Sequence, residues 1–199
     1  MIIVNFKKYV SGEAAVNLAK VCKKVSDETK VRIIAAVQPN DLWDCQDTGI
    51  ECWNQKLELE STNSDGTLLN HSDYLLPWNE LAVQTTRCTI AGIPFCVCVN
   101  SFQEAVKAAR FLPDYIAYEP HELIGDKNKS VSTEKPDVIQ HLISNIKLPV
   151  LIGAGIHSPE DIKIGLKLGA QGFLLATDVV KAVDPYHELS ELAEAFKTF

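Results

Sequence analysis

Short apolar runs recur along the chain, and longer stretches of mixed polarity separate them. Each run holds three to seven residues, is rich in valine, isoleucine and leucine, and is apolar at consecutive rather than alternate positions. That pattern is typical of strands in a parallel sheet covered on both faces. The predicted strands are Ile2–Val4, Val31–Val37, Gly49–Trp53, Thr67–Leu69, Pro94–Val99, Tyr115–Tyr118, Pro149–Ile152 and Gly172–Leu175.

The stretches between the runs predict helices, because apolar residues return in them at helical spacing. Two of these helices also carry a start signal. Ser101 is followed three positions later by Glu104, and Ser158 is followed directly by Pro159. Both arrangements suit the first turn of a helix, whose N–H groups lack partners. The predicted helices cover residues 12–28, 41–47, 74–91, 102–111, 134–145, 159–168 and 185–197.

Strands and helices alternate from one end of the chain to the other, which predicts right-handed crossovers and an α/β fold. Eight such strands favour closure into a (β/α)8 barrel, also called a TIM barrel, over an open sheet. No linker, repeat or low-complexity segment divides the sequence, so we expect residues 1–199 to form a single barrel domain. Because this barrel normally needs about 250 residues, a chain of 199 residues implies a reduced version.

The connection between the third and fourth strands is one place where the barrel is shortened. Residues 54–66 read NQKLELESTNSDG, lack an apolar helical face and end in the turn signal Asp65-Gly66. A parallel crossover usually needs about a dozen residues or more, so this connection is close to the minimum. We therefore expect the helix after strand 3 to be missing or to be a single turn. The helix over residues 41–47 is also expected to be short.

Charge and composition narrow the classes of function. Hydrophobic residues make up 46% and charged residues 23% of the chain, which is the range of a globular protein with a sizeable core. The formal net charge of -7 argues against nucleic acid and against an anionic membrane surface, since both need basic patches. A small anionic substrate is still compatible, because a local cluster of N–H groups and one lysine can outweigh a diffuse acidic surface.

Neither the cysteines nor the apolar runs indicate an extracellular or membrane protein. None of the six cysteines forms a C-x-x-C pair, which favours reduced, structural thiols over a disulfide framework or a zinc site. No apolar stretch reaches the ~18 residues of a membrane span. The N-terminal segment reaches Lys7 too early for a signal peptide. We expect a cytoplasmic protein that uses no metal and no cofactor, since a dinucleotide fingerprint is also absent.

Polar side chains collect at the carboxyl ends of the predicted strands, where barrels of this kind build their active sites. Asn5 and Lys7 follow strand 1, His71 follows strand 4 and Glu119 follows strand 6. These positions aim an ammonium, an imidazole and a carboxylate at one mouth of the barrel. Turns of small residues open helices after strands 7 and 8, where backbone N–H groups and the helix dipole favour a phosphate. These turns are Gly153-Ala154-Gly155 and Ala176-Thr177.

Five motifs occur in order over nearly the whole chain. They read NFKKY at 5–9, LLNHSD at 68–73, YIAYEPHELIG at 115–125, GAGI at 153–156 and LLATDVV at 174–180. Each motif is weak by itself, but their order and spacing together resemble triosephosphate isomerases of the archaeal type. The resemblance implies a TIM barrel that interconverts glycerone phosphate and D-glyceraldehyde 3-phosphate in glycolysis and gluconeogenesis.

The resemblance also implies a role for each polar residue at the barrel mouth. Glu119 would move a proton between two substrate carbons, and Lys7, with Asn5 beside it, would stabilise the enediolate oxygen. His71 would polarise the substrate oxygens as a neutral imidazole. Because the helix predicted over residues 74–91 begins just after His71, we expect its positive end to keep the imidazole neutral.

A lid and a phosphate site follow from the same resemblance. Residues 120–130 would close over the phosphate and exclude water. Glu122 within this lid would not serve as a second base. The residues expected to hold the substrate are Asn5, Ile124, Gly125, Gly155, Ala176 and Thr177.

Three positions depart from the family pattern near the phosphate. Asp126 and Asp178 stand where the family has neutral residues, and His157 replaces a serine. Acids beside a dianion would weaken its binding, so we expect both carboxylates to point away from the site. His157, like the remaining histidines outside the barrel mouth, is expected at the surface.

The shortened third connection changes the expected assembly. In the family this loop reaches into the neighbouring subunit and helps to order the residues that correspond to Lys7 and His71. This chain is therefore expected to form a homo-oligomer through another surface or to act alone. Trp78 is a candidate apolar contact, with ordinary helix packing as the alternative.

Two other functions fit the same residues. One is isomerisation of a larger sugar phosphate, for which the short third loop would open room. The other is non-catalytic binding of a phosphorylated ligand or a partner chain by a diverged paralogue. The presence of Lys7, His71 and Glu119 together favours catalysis over the second of these.

Overall fold

Eight parallel strands close into a barrel in the structure, which is a computed structural model that describes residues 1–57, 63–126 and 128–198. The strands are β1 Ile2–Asn5, β2 Ile33–Val37, β3 Glu51–Asn54, β4 Gly66–Leu69, β5 Phe95–Val99, β6 Tyr115–Tyr118, β7 Val150–Gly153 and β8 Gly172–Leu175. Each strand pairs with its neighbours in sequence, and β1 pairs with β8 to close the barrel, with Ile3 opposite Leu174. The predicted (β/α)8 barrel is confirmed.

Helices lie between the strands and cover the outside of the barrel. They are α1 Glu13–Thr29, α2 Leu42–Gln46, α3 Trp78–Ala91, α4 Phe102–Ala108, α5 Val131–Glu134, α6 Pro136–Asn145, α7 Pro159–Lys167, α8 Thr177–Val180 and α9 Pro185–Glu194. Both serines that were predicted to begin a helix cap its N-terminus. Ser101 Oγ accepts the Glu104 N–H at 3.2 Å, and Ser158 forms a capping box with Asp161. The short second helix is confirmed. None of the described helices is both long enough and apolar enough to cross a membrane.

The third helix begins later than the sequence pattern predicts. The pattern places residues 74–77 in this helix, but α3 begins only at Trp78. Pro77 has no N–H to donate, and a residue before proline is disfavoured in the helical conformation, so the helix cannot include Leu76. The Asn70 side chain holds the preceding loop instead, since its Oδ1 accepts the Leu76 N–H at 2.9 Å.

Two apolar layers form the core, one inside the barrel and one between the strands and the helices. Trp53 is the largest of the fully buried side chains and lies inside the barrel. Gly66 on the neighbouring strand leaves room for the indole, which a Cβ at that position would overlap. All six cysteines are buried, and none is joined in a disulfide. The interior layer contains Ile3, Ile34, Ala36, Trp53, Leu68, Cys96, Cys98, Ala117, Leu151 and Leu174.

The connection from β3 to β4 contains no helix in its described residues, 55–57 and 63–65. Residues 58–62, on which the rest of this prediction falls, lie outside the described residues. Asp65 closes the connection: its carboxylate accepts the Cys52 N–H at 2.9 Å, and its own N–H donates to the Cys52 carbonyl at 3.2 Å. The chain therefore enters β4 through a turn that is hydrogen-bonded to β3.

Candidate active site

A cavity of about 250 Å³ opens at the carboxyl ends of the strands. It is the main cavity of the site, and the ends of β1, β6, β7 and β8 contribute to its wall. Asn5 and His71 do not line this cavity and are buried instead. Across the described residues, no group of three or more His, Cys, Asp or Glu side chains is arranged to hold a metal ion. The other predicted site residues all line the cavity: Lys7, Glu119, Ile124, Gly125, Gly155, Ala176 and Thr177.

Lys7 is held at the mouth of the barrel by its backbone and by two side-chain partners. Its φ of 50° lies in the left-handed region, and Asn5 Oδ1 accepts the Lys7 N–H at 3.0 Å. The Nζ donates to Ser72 Oγ at 3.0 Å and lies 3.2 Å from Asp73 Oδ1. An ammonium has three N–H groups, so these contacts leave one for a ligand. Sequence reasoning assigned no role to Asp73, although an acid two positions after His71 is a readable signal.

Gln55 forms hydrogen bonds to both Lys7 and His71 in the same chain. Its Nε2 donates to the Lys7 carbonyl at 2.9 Å and to the Ala36 carbonyl at 3.1 Å. Its backbone carbonyl accepts from His71 Nε2 at 2.8 Å. Sequence reasoning missed this residue because a glutamine in a polar segment is usually exposed, yet Gln55 is fully buried. The first residue of the shortened connection thus contacts both Lys7 and His71 within the same chain.

His71 is kept neutral by burial and not by a helix dipole. Its Nδ1 accepts the Asp73 N–H at 3.4 Å and its Nε2 contacts the Gln55 carbonyl, so the proton of the neutral ring belongs on Nε2. Burial lowers the pKa of His71 to about 4, and the charge of Asp73 opposes this shift only in part. The prediction that His71 adjoins a helix N-terminus is wrong, since α3 begins at Trp78, beyond a proline.

The depressed pKa of His71 predicts a loss of stability in acid. The unfolded chain takes up this proton near the ordinary pKa of 6.5, whereas the folded protein takes it up only near a pKa of 4. Stability that is present above pH 6.5 is therefore lost as the pH falls towards 4, by about 3 kcal/mol for this group. His71→Gln cannot take up the proton, so its free energy of unfolding, measured with urea, should fall less over this range.

His187→Gln is the matched control for this measurement. His187 is exposed on α9, where its Nε2 lies 3.6 Å from Glu191 Oε1. This variant should keep the pH dependence of the wild-type protein. Equal pH dependence in the wild type and in His71→Gln would show that the fold does not hold His71 neutral.

Glu119 follows β6 directly, and its N–H donates to the Val99 carbonyl at 2.8 Å. Burial raises the pKa of its carboxyl, while the Cys98 thiol and the Lys7 ammonium counteract the rise. Gly153 leaves space below the side chain, since a Cβ there would lie 3.1 Å from Glu119 Cγ. Sequence reasoning gave neither Cys98 nor Gly153 a role beside Glu119, because Cys98 looks like any apolar strand position and Gly153 was assigned only to the turn after β7.

In the segment predicted as a lid, residues 120–130, of which residue 127 lies outside the described residues, Ile124, Gly125 and Asp126 line the main cavity. A 3₁₀ turn covers His121–Leu123, and Gly125 has a φ of 78°, which favours glycine. Glu122 is exposed and pairs with Lys135 at 3.1 Å, so its carboxylate is engaged outside the cavity. The lid therefore brings an apolar residue, a glycine and an acid to the cavity at its tip.

The far end of the lid rests on the turn after β7. The Ala154 carbonyl accepts the Val131 N–H at 3.1 Å, and Gly155 has a φ of 65°. A Cβ at Gly155 would overlap the Lys129 carbonyl oxygen. Both the backbone conformation and the close approach of the lid therefore require glycine at this position.

Gly155→Ala should displace the lid, lower the free energy of unfolding and raise KM for a phosphorylated substrate about tenfold. Gly92→Ala is the matched control, because Gly92 has a φ of 66° and nothing within 4 Å of its Cβ position. The Gly92→Ala substitution should lower the free energy of unfolding by about 1 kcal/mol and leave KM unchanged. Steady-state kinetics and urea denaturation of both variants make the comparison. Equal KM values would show that the lid does not depend on Gly155.

The residues that depart from the family pattern lie at the wall of the main cavity. His157 Nδ1 lies 2.9 Å from Asp178 Oδ1, and 23% of the His157 side chain is exposed. Asp126 also lines the cavity, and its Oδ1 accepts the N–H groups of Asn128 and Lys129 at 2.8 and 3.2 Å. Both acids thus line the cavity, although we expected them to point away from it, and His157 is partly buried, although we expected it at the surface. Each acid has a local partner that holds it at the wall.

The N-termini of the helices after β7 and β8 provide fewer free N–H groups for an anion than the sequence suggests. Asp161 Oδ2 accepts the N–H groups of His157 and Ser158 at 3.1 and 3.0 Å, so the start of α7 is already capped. The other helix, α8, is a single turn of four residues. An anion at this end of the cavity therefore depends on loop N–H groups and on side chains.

A second cavity, of about 180 Å³, adjoins the main one, and Glu119 and Ile124 line both. Trp78, the candidate for a subunit contact, lines this second cavity and is partly buried. Its ring centre lies 6.3 Å from that of Phe111 and 5.4 Å from Lys107 Nζ. Packing within the chain therefore accounts for Trp78.

Sequence comparison relates the chain to archaeal proteins along nearly its whole length. It is 33% identical to the triosephosphate isomerase of Methanosarcina mazei over 214 residues, which cover 96% of this chain and 96% of the relative. It is 35% identical to the triosephosphate isomerase of Pyrobaculum calidifontis over 219 residues, which cover 98% of this chain and 95% of the relative. The chain belongs to the triosephosphate isomerase family.

It is a shortened and divergent member of the triosephosphate isomerase family. Both alignments are longer than the 199 residues of the chain, so the relatives carry residues that this chain lacks. A family model described as thiazole biosynthesis protein ThiG also matches, over residues 71–198. The two matches agree on a divergent TIM-barrel family of phosphate-binding enzymes.

Solved structures of other proteins have the same barrel fold as this chain. A 3-hexulose-6-phosphate synthase matches with a TM-score of 0.74 and 12% identity over 98% of both chains. The (S)-3-O-geranylgeranylglyceryl phosphate synthase of Thermoplasma acidophilum, in complex with sn-glycerol-1-phosphate, matches with a TM-score of 0.68 and 12% identity. That match covers 100% of this chain and 93% of the synthase. At such identities the likeness shows the fold alone.

Proposed function

We propose that this chain is a triose-phosphate isomerase, which interconverts glycerone phosphate (dihydroxyacetone phosphate) and D-glyceraldehyde 3-phosphate. One observation carries the proposal: Glu119, a carboxyl with a raised pKa, and Lys7, an ammonium, line one cavity of about 250 Å³. A cavity of this size suits a three-carbon phosphate. The names of relatives that are 33% and 35% identical support the same activity.

Glu119 is the base in this proposal. Its carboxylate removes a proton from the substrate carbon next to the carbonyl, and the electron pair moves onto the carbonyl oxygen to give an enediolate. The proton then returns from Glu119 to the neighbouring carbon, so no atom is gained or lost. Burial supports the step, because the raised pKa of Glu119 makes its carboxylate a stronger base.

Lys7 and His71 stabilise the negative oxygen of the enediolate. The remaining N–H of Lys7 serves the substrate, while Asn5 fixes the Lys7 backbone. His71 does not line the cavity, so its ring has to turn from the Gln55 carbonyl towards the substrate before Nε2 donates to a substrate oxygen and the ring passes the hydroxyl proton between the two oxygens. Its low pKa, about 4, supports this role, since the ring is then neutral at physiological pH.

The phosphate lies at the other end of the main cavity in this proposal. Gly155, Ala176 and Thr177 supply the wall there, and Ile124 and Gly125 come from the lid. Closure of the lid excludes water, which protects the enediolate from side reactions. The close approach of Lys129 in the lid to Gly155 in the turn after β7 supports this arrangement, since it brings the lid next to the proposed phosphate site.

Assays of the purified chain in both directions test the proposal. We expect turnover of either triose phosphate and the same final ratio from both starting compounds. In deuterated water the product should carry deuterium on the carbon next to the carbonyl, because the proton on Glu119 exchanges with solvent. A folded chain that turns over neither compound would overturn the proposal.

The second cavity favours one alternative, the isomerisation of a larger sugar phosphate. Glu119 would then act between two cavities of about 250 and 180 Å³, which together offer more room than a triose phosphate fills. Pentose and hexose phosphates in the same deuterium-exchange assay distinguish the two functions. Faster exchange into one of these sugars than into the triose phosphates would favour the alternative.

A further inference from the structure

The side chains of His157 and Asp178 form a close polar pair in the wall of the main cavity. His157 Nδ1 lies 2.9 Å from Asp178 Oδ1, although the residues come from two separate turns, after β7 and after β8. Both side chains are shielded from most solvent, with 23% and 36% of their surfaces exposed. The backbone of His157 is held as well, since its N–H donates to Asp161 Oδ2 at 3.1 Å.

The other ring nitrogen of His157 is unused. Its Nε2 is buried and has no hydrogen-bond partner within the part of the chain that the structure describes. A buried polar atom without a partner destabilises a fold, so its presence calls for a reason. Because Asp178 accepts from Nδ1, protonation of the ring turns Nε2 into a second donor. A charged donor beside a cavity of this kind suits an anion, which meets Nε2 once the ring turns this buried atom towards the cavity.

The wall of the main cavity carries more acidic than basic side chains, so an anion needs a positively charged donor there. Glu119, Asp126 and Asp178 are acids in the wall, and Lys7 is the lysine that opposes them. The lid N–H groups already bind the Asp126 carboxylate. A phosphate next to the turns after β7 and β8 would therefore meet Asp178 first, and Asp178 would repel it unless His157 carries a positive charge.

We infer that the imidazolium of His157, oriented by Asp178, binds the anionic group of the substrate, so that binding of the anion takes up a proton. The inference rests on the proposed function, which places the phosphate at this end of the cavity. Two more acids lie beside the pair, Asp161 at the start of α7 and Glu188 on α9. The two departures from the family pattern thus act as one unit, in which the histidine compensates the acid.

Inorganic sulfate is the probe for this inference, because it is a dianion that carries no proton of its own at neutral pH. Nuclear magnetic resonance of the imidazole C–H signals reports both the affinity for sulfate and the protonation of His157. In the wild type, sulfate should shift the His157 signals towards those of the protonated ring. His157→Ser should weaken sulfate binding about tenfold or more, because Asp178 is then left unpaired.

The double variant separates binding from simple structural damage. His157→Ser combined with Asp178→Gly should bind sulfate more tightly than His157→Ser alone, because the repelling acid is gone. A purely structural role for the pair would instead make the double variant at least as defective as the single one. His187→Ser is the matched control, since it breaks an exposed pair with Glu191 on α9 and should leave sulfate binding unchanged.

Two results would overturn the inference: sulfate binding by His157→Ser that equals the wild type, or wild-type His157 signals that do not move with sulfate. Turnover of the triose phosphates is measured in parallel. A wild type that binds sulfate through His157 but turns over no triose phosphate contradicts the proposed function and leaves the inference standing.

Discussion

Glu119→Gln should lower kcat for triose-phosphate isomerisation by about 10³-fold, because the amide keeps the shape of the side chain but cannot take up a proton. Glu119→Asp keeps the carboxylate but withdraws it by one methylene group. We expect that displacement to cost about 10²-fold in kcat. Coupled assays in both directions measure kcat and KM for each variant.

Glu119→Gln should fold as well as the wild type. Burial raises the pKa of this carboxyl, which means that the fold disfavours its charged form, so an uncharged amide is tolerated. Glu191→Gln is the matched control, since Glu191 is exposed on α9 and its variant should keep the wild-type kcat. Full activity in Glu119→Gln together with loss of activity in Glu122→Gln would place the base in the lid instead.

Lys7→Met should lower kcat/KM by about 10³-fold, because it removes the ammonium that stabilises the developing negative oxygen. Among the described residues, Lys7 is the one lysine or arginine that lines the main cavity. Methionine keeps an apolar stem of similar length, so the loss reports the charge. Separate values of kcat and KM show how much of the loss falls on the chemical step.

Lys8→Met is the matched control for this variant. Lys8 is exposed, and its Nζ lies 5.0 Å from the centre of the Tyr74 ring. It should keep kcat/KM within about twofold, as exposed charges contribute little. Lys7→Met leaves Asp73 without its cation, but 27% of that side chain is exposed, so water can solvate it and the fold should persist. Wild-type kcat/KM in Lys7→Met would remove the ammonium from the proposed mechanism.

Much of the fold could be predicted because buried parallel strands leave a contiguous apolar pattern. The bounds of β6 and β8 agree with the prediction residue for residue. The start of α3 does not, since Leu75 and Leu76 continue the apolar spacing of the helix into a loop. Pro77 interrupts the helix there, and this local signal was readable from the sequence.

Residues of the site could be predicted only where they directly follow the end of a strand, because the strand end then determines where they lie. Lys7 and Glu119 line one cavity because closure of a parallel barrel brings the carboxyl ends of all strands to one rim. Gln55 was not predictable, since its side chain binds the carbonyl of a residue 48 positions away and nothing in its polar neighbourhood indicates burial. The pair of His157 and Asp178 was missed for the same reason, although both positions were recognised as unusual.

The sequence by itself determined which segments are strands and helices, that they alternate, and that an ammonium and a carboxyl meet at one rim. Only the tertiary structure decided that His71 turns to the Gln55 carbonyl and that Asp178 faces His157. The physical reason is that apolar periodicity records the burial of each segment separately. Contacts between side chains depend on register and closure, which join β1 to β8 across the whole length of the chain.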